Sequence, residues 1–274
     1  MEKLNINLHD ILRNRLGKKG SLIPGFLISA LERFIHQDEL NAVLDETYPA
    51  EGSDFAAKVY DYFDLTLEVT GLENIPEEGR FIFASNHPLG GLDGIGLIKV
   101  LGEKYGDDHI YFLVNDMLMN VEPLRPVFLP INKYGSQARA AAVAIRDAYK
   151  SDRQIVIFPA GLVSRLHPDG QIRDLDWQKS FVKNAVDYQR DIIPVHFEGL
   201  NRMKFYKTAY RRKKLGIKIN IEQAMLPAEL CAARGNKFKI TFGKPIPWKS
   251  IVGETSSGKS LSQIANEIRD KIYV

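Results

Sequence analysis

The chain has 274 residues, of which 45% are hydrophobic, and this is enough for one sizeable α/β core. Basic residues outnumber acidic ones by only three, 37 Lys and Arg against 34 Asp and Glu, so the charge does not indicate a nucleic-acid-binding protein. The single cysteine, Cys231, excludes an internal disulfide and favours a reducing compartment, and the lack of an apolar run of about 18 residues argues against a transmembrane helix.

The first 64 residues predict a helical N-terminal region. Leucines at every fourth position from Leu4 to Leu16, with basic residues close by, indicate an amphipathic helix that lies either on an anionic bilayer or against the rest of the domain. Further helices are predicted after Pro24, from a cap at Asp38 and from a cap at Ser53. We expect residues 1–64 to precede an α/β domain over 65–274 and to shield an apolar substrate.

From residue 65 onward the pattern alternates between strands and helices. Strands are predicted at residues 65–69, 81–83, 109–114, 127–131, 154–158, 192–197, 218–221 and 238–242. Ser260 and Gln263 form a capping box for a last helix. This order predicts an α/β fold with a largely parallel central sheet flanked by helices.

One stretch, RFIFASNHPLGGLDG from Arg80 to Gly94, joins a buried strand to a glycine-rich turn and a helix. His87 would lie at the carboxyl end of the strand and Asp93 near the first turn of the helix, at the edge where open α/β sheets bind ligands. A histidine oriented by a carboxylate can act as a general base, whereas the alternative is that both residues only cap local structure. We expect Gly91 or Gly94 to adopt a backbone conformation that is closed to other residues, and backbone N–H groups in the turn to stabilise an oxyanion.

NHPLGGLDG resembles the first signature block of the glycerolipid acyltransferases, the lysophosphatidate-acyltransferase-like (PlsC-type) family, which has Asn-His, a short spacer and Asp. The usual spacer has four residues, whereas Pro88 to Leu92 makes five here. The Asn-His-Pro-Leu-Gly form resembles the hemolysin-like subgroup, which includes acyltransferases of amino-acid lipids. This resemblance implies the glycerol-phosphate-acyltransferase-like fold.

Three later stretches resemble the remaining blocks of that family, in the same order. FPAGLVSR, from Phe158 to Arg165, resembles the third block but has Ala160 where the family has Glu. RPVFLPINK stands in the place of the second block and ends in Asn132-Lys133, where the family has an Arg thought to grip the acceptor phosphate. IIPVHFEG resembles the fourth block, and we interpret its histidine, His196, as structural.

The resemblance implies catalytic roles for His87 and Asp93 and no metal site. It also implies a set of substrate-binding residues, drawn from the matching blocks and from a Trp177–Lys179 pair typical of the subgroup. This set comprises Asn86, Gly90, Gly91, Lys133, Gly161, Ser164, Arg165 and Lys179.

Two other stretches attract a functional interpretation. The segment from Arg202 to Lys218 holds eight basic residues and no acid, with aromatic residues between them. It would contact anionic lipid head groups, an acidic acyl carrier protein or nucleic acid, or would simply be solvated. GETSSGKS, from Gly253 to Ser260, satisfies a phosphate-loop pattern, but no good strand precedes it, so we interpret it as a flexible loop and a helix cap.

Together these patterns predict an O-acyltransferase that moves a fatty acyl group from acyl carrier protein or coenzyme A to a lyso-lipid, with no cofactor. The expected acceptor is a lyso-amino-acid lipid, and lysophosphatidate is the alternative. The expected location is the inner face of the cytoplasmic membrane, with attachment that weakens in salt. The alternative of another class is a non-enzymatic lipid- or nucleic-acid-binding protein, which would leave His87 and Asp93 unexplained.

Overall fold

The computed structural model describes residues 4–17, 23–131 and 138–273. Its helices are α1 (Leu8–Leu16), α2 (Gly25–Phe34), α3 (Gln37–Thr47), α4 (Gly52–Tyr62), α5 (Leu92–Tyr105), α6 (Ala138–Lys150), α7 (Ser180–Asp187), α8 (Met203–Lys214), α9 (Leu226–Ala232), α10 (Trp248–Ser256) and α11 (Leu261–Ile272). Its strands are β1 (Thr66–Thr70), β2 (Phe81–Ser85), β3 (Ile110–Val114), β4 (Phe128–Pro130), β5 (Gln154–Ile157), β6 (Arg165–Leu166), β7 (Ile172–Arg173), β8 (Asp191–Glu198) and β9 (Lys237–Phe242).

Within the described residues, seven strands form the main sheet in the order β1-β9-β8-β2-β5-β3-β4. Every described pair in it is parallel except β8 and β9, which run antiparallel. Strands β6 and β7 form a separate small antiparallel pair. The predicted α/β class with a largely parallel central sheet flanked by helices is confirmed.

The central strand β2 is buried along its whole length, because helices cover both faces of the sheet. Successive side chains of a strand point to opposite faces. Phe83 accordingly packs in a core with α4 and α5, whereas Ile82 packs in a second core with α7 and α11. This double burial explains why the strand reads as a continuous apolar run.

Helix α4 belongs to the same core as the sheet. Phe55, Val59 and Phe63 are buried there, and the hydroxyl of Tyr60 donates a hydrogen bond of 3.0 Å to the carbonyl of Leu92 at the start of α5. The last of the N-terminal helices therefore packs on the helix that carries Asp93. The division of the chain at residue 64 remains a prediction.

Two local predictions are wrong. The strand expected at Lys218–Ile221 is an exposed loop followed by a 3-10 helix over Ile221–Met225, because none of the described strands pairs with this segment. The flexible loop expected in GETSSGKS is partly the end of α10. The capping box predicted at Ser260 and Gln263 is present at the start of α11.

Candidate active site

The candidate site lies where β2 ends and the chain turns into α5. Asn86, the first residue after β2, is buried and locks this end of the strand to β8. Its amide nitrogen donates to the carbonyl of Phe197 at 3.0 Å, and its amide oxygen accepts from the N–H of Phe197 at 2.7 Å. Asn86 thus uses its side chain inside the protein and fixes the position from which His87 projects.

His87 and Asp93 are in direct contact. His87 Nδ1 lies 3.0 Å from Asp93 Oδ2; the imidazole is 19% exposed and the carboxylate is 0% exposed. An ionised carboxylate can only accept, so the shared proton belongs to Nδ1 and the Nε2 of a neutral His87 is left free to take a proton. The arrangement matches what a histidine general base requires.

The five-residue spacer between His87 and Asp93 folds around the carboxylate of Asp93. The N–H groups of Leu89 and Gly90 donate to Asp93 Oδ2 at 2.9 and 3.2 Å. The longer connection therefore still closes the contact between His87 and Asp93. It also engages two of the turn's N–H groups, so an oxyanion would have to be stabilised by other N–H groups, and that role remains a prediction.

The residue with the unusual backbone in this turn is Gly90, with φ of 77°. An added Cβ there would lie 2.6 Å from Val163 Cγ2 and 2.9 Å from Leu226 Cδ1. Gly91, the N-cap of α5, has φ of −157°, and an added Cβ would have open space. The prediction that Gly91 or Gly94 adopts a conformation closed to other residues is therefore wrong, because the positive φ and the crowding both fall on Gly90.

The interaction between His87 and Asp93 stabilises the protonated imidazole and the ionised carboxylate. Burial lowers the pKa of His87, but attraction to Asp93 and the hydrogen bond between them outweigh this, and the pKa is raised above its usual value. Burial raises the pKa of Asp93, but the charge of His87, its hydrogen bond and the two loop N–H groups reverse the shift, and the pKa is lowered. Each group thus stabilises the charged form of the other.

Asp174 is a site residue that the sequence prediction missed. It is fully buried; its Oδ1 accepts the backbone N–H of His87 at 3.2 Å and the hydroxyl of Ser164 at 2.6 Å, while its Oδ2 accepts Trp177 Nε1 at 2.9 Å. Burial raises the pKa of this carboxyl. No local pattern marks Asp174, because His87 lies 87 positions away and the loop that carries Asp174 is irregular.

Ser164 completes the hold on His87. Its backbone N–H donates to the His87 carbonyl at 2.8 Å. Ser164 therefore holds the carbonyl of His87, while Asp174 holds its N–H. Phe158 stacks on the imidazole with ring centroids 4.1 Å apart. The third block thus packs directly against the first, and Gly161, with φ of 68°, lies in the turn between Phe158 and Ser164.

Arg165 lies in a buried ionic cluster. Its guanidinium lies 3.0 Å from Glu222 Oε1, and Arg212 of α8 lies 2.8 Å from the other oxygen of Glu222. Two cations therefore share one carboxylate. Ala160, which stands where the family has Glu, is part of the second core.

The other predicted residues are spread more widely. Lys179 is exposed at the N-cap of α7, and Lys133 lies outside the described residues. His196 packs edge-on against Tyr273, with ring centroids 5.4 Å apart. The roles assigned to all these residues remain predictions.

Residues near α8 hold the outer side of the turn between His87 and Asp93. The hydroxyl of Tyr206 donates to the carbonyl of Pro88 at 3.2 Å, and the amide of Asn201 donates to the carbonyls of Pro88 and Leu89, both at 3.3 Å. The buried face of α8 is therefore in direct contact with the loop that carries His87.

An apolar cleft borders this loop. Leu89, Leu92, Leu200, Leu226, Leu230 and Phe238 are among its lining residues. A larger cavity of about 570 Å³ lies at the opposite edge of the sheet, around Arg80, Asp152 and Trp248, far from His87.

Across residues 4–17, 23–131 and 138–273, no group of three or more His, Cys, Asp or Glu could hold a metal ion. None of the helices described there is long and apolar enough to span a membrane.

Comparison with known proteins gives consistent matches. The sequence model of a family described as "Acyltransferase" matches residues 11–274. Lyso-glycine lipid O-acyltransferases of Phocaeicola vulgatus and of Bacteroides thetaiotaomicron are each 42% identical over 268 residues, which is 98% of this chain and 94% and 96% of theirs. Among solved structures, the 1-acyl-sn-glycerophosphate acyltransferase PlsC of Thermotoga maritima is 15% identical, with a TM-score of 0.46 and coverage of 90% of this chain and 93% of that one. The chain belongs to the acyltransferase family and is an acyltransferase, as the resemblance in its sequence predicted.

Proposed function

We propose that the protein transfers a fatty acyl group from an acyl thioester to the hydroxyl of a lyso-amino-acid lipid, namely a lyso-glycine lipid. The contact of 3.0 Å between His87 Nδ1 and Asp93 Oδ2 at the edge of the sheet supports the chemistry. The 42% identity to two lyso-glycine lipid O-acyltransferases, over nearly the whole chain, supports the acceptor.

In the proposed mechanism, His87 is the general base and Asp93 orients it. Neutral His87 takes the proton of the acceptor hydroxyl on Nε2 while that oxygen attacks the thioester carbonyl carbon. The new C–O bond forms, the C–S bond breaks, and the departing thiolate takes the proton from the imidazolium. Asp93 stabilises the imidazolium in between. A covalent acyl-enzyme is unnecessary because the thioester is already activated.

The surroundings of the pair suit substrates with long aliphatic chains and one negative charge. The cleft lined in part by Leu89, Leu92 and Leu226 has a volume of about 50 Å³ and borders the turn that carries His87, so it would contact a few methylene groups of an aliphatic chain. The cluster of Arg165, Arg212 and Glu222 carries one net positive charge, which would attract the carboxylate of a glycine head group. Lys133 is the alternative partner for that carboxylate, which it would hold as a single point charge.

The proposed partners follow from the reaction. The donor is the thioester of acyl carrier protein or coenzyme A, and the enzyme uses no metal or other cofactor because the thioester supplies the activation. The acceptor is a membrane lipid, so the proposed place of work is the inner face of the cytoplasmic membrane, with peripheral attachment.

The test is direct competition between acceptors. Purified enzyme receives one acyl thioester and equal amounts of a lyso-glycine lipid and lysophosphatidate, with a lyso-ornithine lipid in a second series. We expect the lyso-glycine lipid to be acylated at least about tenfold faster than lysophosphatidate, about 1.4 kcal/mol of transition-state preference. A preference for lysophosphatidate would reject the acceptor but leave the transfer chemistry intact. A folded enzyme that acylates none of the three would reject the proposal as a whole.

A further inference from the structure

The exposed face of α8 combines positive charge with apolar side chains. Its buried face consists of Phe205, Tyr206 and Ala209. The opposite face carries residues at helical spacing, all of them exposed, namely Met203, Lys204, Lys207, Tyr210, Arg211 and Lys214. Over the described residues, none of the four cations on this face forms an ion pair, unlike Arg202 and Arg212, which pair with Glu229 and Glu222.

The loop after α8 continues this surface with aliphatic side chains that have no covering. Leu215 and Ile219 are each 75% exposed, and Ile217 and Ile221 are also exposed. Contiguous exposed aliphatic side chains are unusual on a soluble protein unless they meet a partner. Lys213 and Lys218 lie among them and are exposed as well.

Hydrogen bonds and an ion pair hold the backbone of this loop, although its aliphatic side chains are exposed. Arg212 donates to the carbonyl of Ile217 at 2.6 Å and forms an ion pair with the fully buried Glu222. The backbone N–H groups of Leu215 and Ile217 donate back to the end of α8. The aliphatic side chains are therefore displayed on an anchored turn.

We propose that α8 and residues 215–221 form a docking surface for an anionic lipid bilayer. The aliphatic side chains enter the acyl-chain region, and the lysines and Arg211 lie among anionic head groups. An acidic carrier protein would match the charge but would give no reason for four exposed aliphatic residues, so a bilayer fits the observations better. The inference rests on the proposed function only in that the acceptor is a membrane lipid.

The buried face of α8 connects this surface to the reaction. Tyr206 and Asn201 hold the carbonyl of Pro88, next to His87. Docking through the outer face of α8 would therefore hold the turn that carries His87 on the far side of this helix, about one helix diameter, roughly 10 Å, from the bilayer surface.

The test is sedimentation with vesicles, which requires no turnover. Wild type, Leu215→Asp/Ile219→Asp, Lys207→Glu/Lys214→Glu and Val252→Asp are mixed with vesicles of phosphatidylcholine alone or with phosphatidylglycerol added. Val252, exposed on α10, is the matched control, since α10 begins beside Asp191 at the opposite edge of the sheet. Circular dichroism checks folding, and Leu215→Ser/Ile219→Ser is a milder pair if the aspartates unfold the protein.

We expect the aspartate pair to bind anionic vesicles about tenfold or more weakly than wild type, because binding scales with buried apolar area. The glutamate pair should also bind anionic vesicles more weakly, while Val252→Asp binds as wild type does. Wild-type affinity in a folded Leu215/Ile219 variant would overturn the proposal. The proposal would also be overturned if the glutamate pair bound vesicles normally but lost transfer from acyl carrier protein in detergent solution. It would likewise be overturned if the aspartate pair dissociated a dimer without changing vesicle binding.

Discussion

Two glycine-rich stretches of this chain carry residues that suggest chemistry, and the fold treats them differently. NHPLGGLDG follows the buried central strand β2, and its Asp93 is fully enclosed by the turn that precedes it. GETSSGKS follows no strand; its first half ends α10, Lys259 pairs with Glu254 and Glu267, and Ser260 caps α11. The contrast shows that a short pattern gains functional meaning from the element before it, which decides whether its polar groups converge or disperse.

The largest expected effect comes from removing the base in the first stretch. His87→Ala should lower the rate of acyl transfer by about 10²–10⁴-fold, the usual range for loss of a general base. Steady-state rates with a saturating thioester donor measure the effect, with thermal unfolding as a check of the fold. Near-normal turnover by a folded His87→Ala protein would exclude the proposed mechanism.

Asp93→Asn should reduce transfer by about 10²-fold and also move its pH dependence. Because Asp93 raises the pKa of His87, the wild-type rate should rise with pH through a value above the usual one for histidine. Asparagine cannot stabilise the imidazolium, so the acidic limb of the variant should shift to lower pH. The measurement is kcat/KM against pH, and an unshifted limb would contradict the assigned pairing.

Asp174→Asn should have a smaller effect, about tenfold, or 1.4 kcal/mol, because it loosens the hold on His87 without removing the base. The charge of Asp174 also raises the pKa of His87, although less than that of Asp93. The acidic limb should therefore move in the same direction by a smaller amount. Asp176→Asn is the matched control, since its side chain is 86% exposed and pairs with Arg269 at the surface. Equal effects of the two substitutions would contradict a positioning role.

The two stretches can also be compared through their own glycines. Gly90→Ala should lower the free energy of unfolding by about 2–4 kcal/mol, because a left-handed backbone and crowding against Val163 and Leu226 add together. Gly258 has φ of 98°, but an added Cβ there would have open space. Gly258→Ala should therefore lower the free energy of unfolding only by the backbone cost of about 1–2 kcal/mol. Denaturant unfolding measures both, and equal losses would mean that the turn around Asp93 is not tightly packed.

The smallest expected effect is in the phosphate-loop-like stretch. Lys259→Ala should leave acyl transfer unchanged and should not alter nucleotide binding, which we expect to be absent in the wild type. Calorimetric titration with ATP tests this. Micromolar binding by the wild type that disappears in Lys259→Ala would reverse our interpretation of the stretch.

The contact between His87 and Asp93 could be predicted from sequence because it is local. A buried strand, a turn and a helix start constrain both ends of a six-residue connection, and the pairing needs no distant partner. Asp174 could not be predicted, because it meets the backbone of His87 across 87 positions and from an irregular loop. Arg165 looked like a free cation for the same reason, since its partner Glu222 lies 57 positions further on.

The false strand at Lys218–Ile221 has a related cause. Ile217, Ile219 and Ile221 alternate with polar residues, which is the pattern of a half-buried strand. Such a pattern reports that one side of the chain is apolar, but it does not say what covers that side. None of the described strands covers the apolar side of this segment, and the three isoleucine side chains are exposed.

The pairing of β1 with β9 has a consequence for how the chain reaches its fold. Among the described strands β1 has β9 as its one neighbour, and Thr70 and Thr241, paired across them, are 171 positions apart. During synthesis β1 emerges early and must wait for most of the polypeptide before its hydrogen-bonding groups are satisfied. Contacts of such long range slow folding and leave an unpaired strand edge open to wrong association in the meantime. We therefore expect destabilised forms of the protein to aggregate through this first strand.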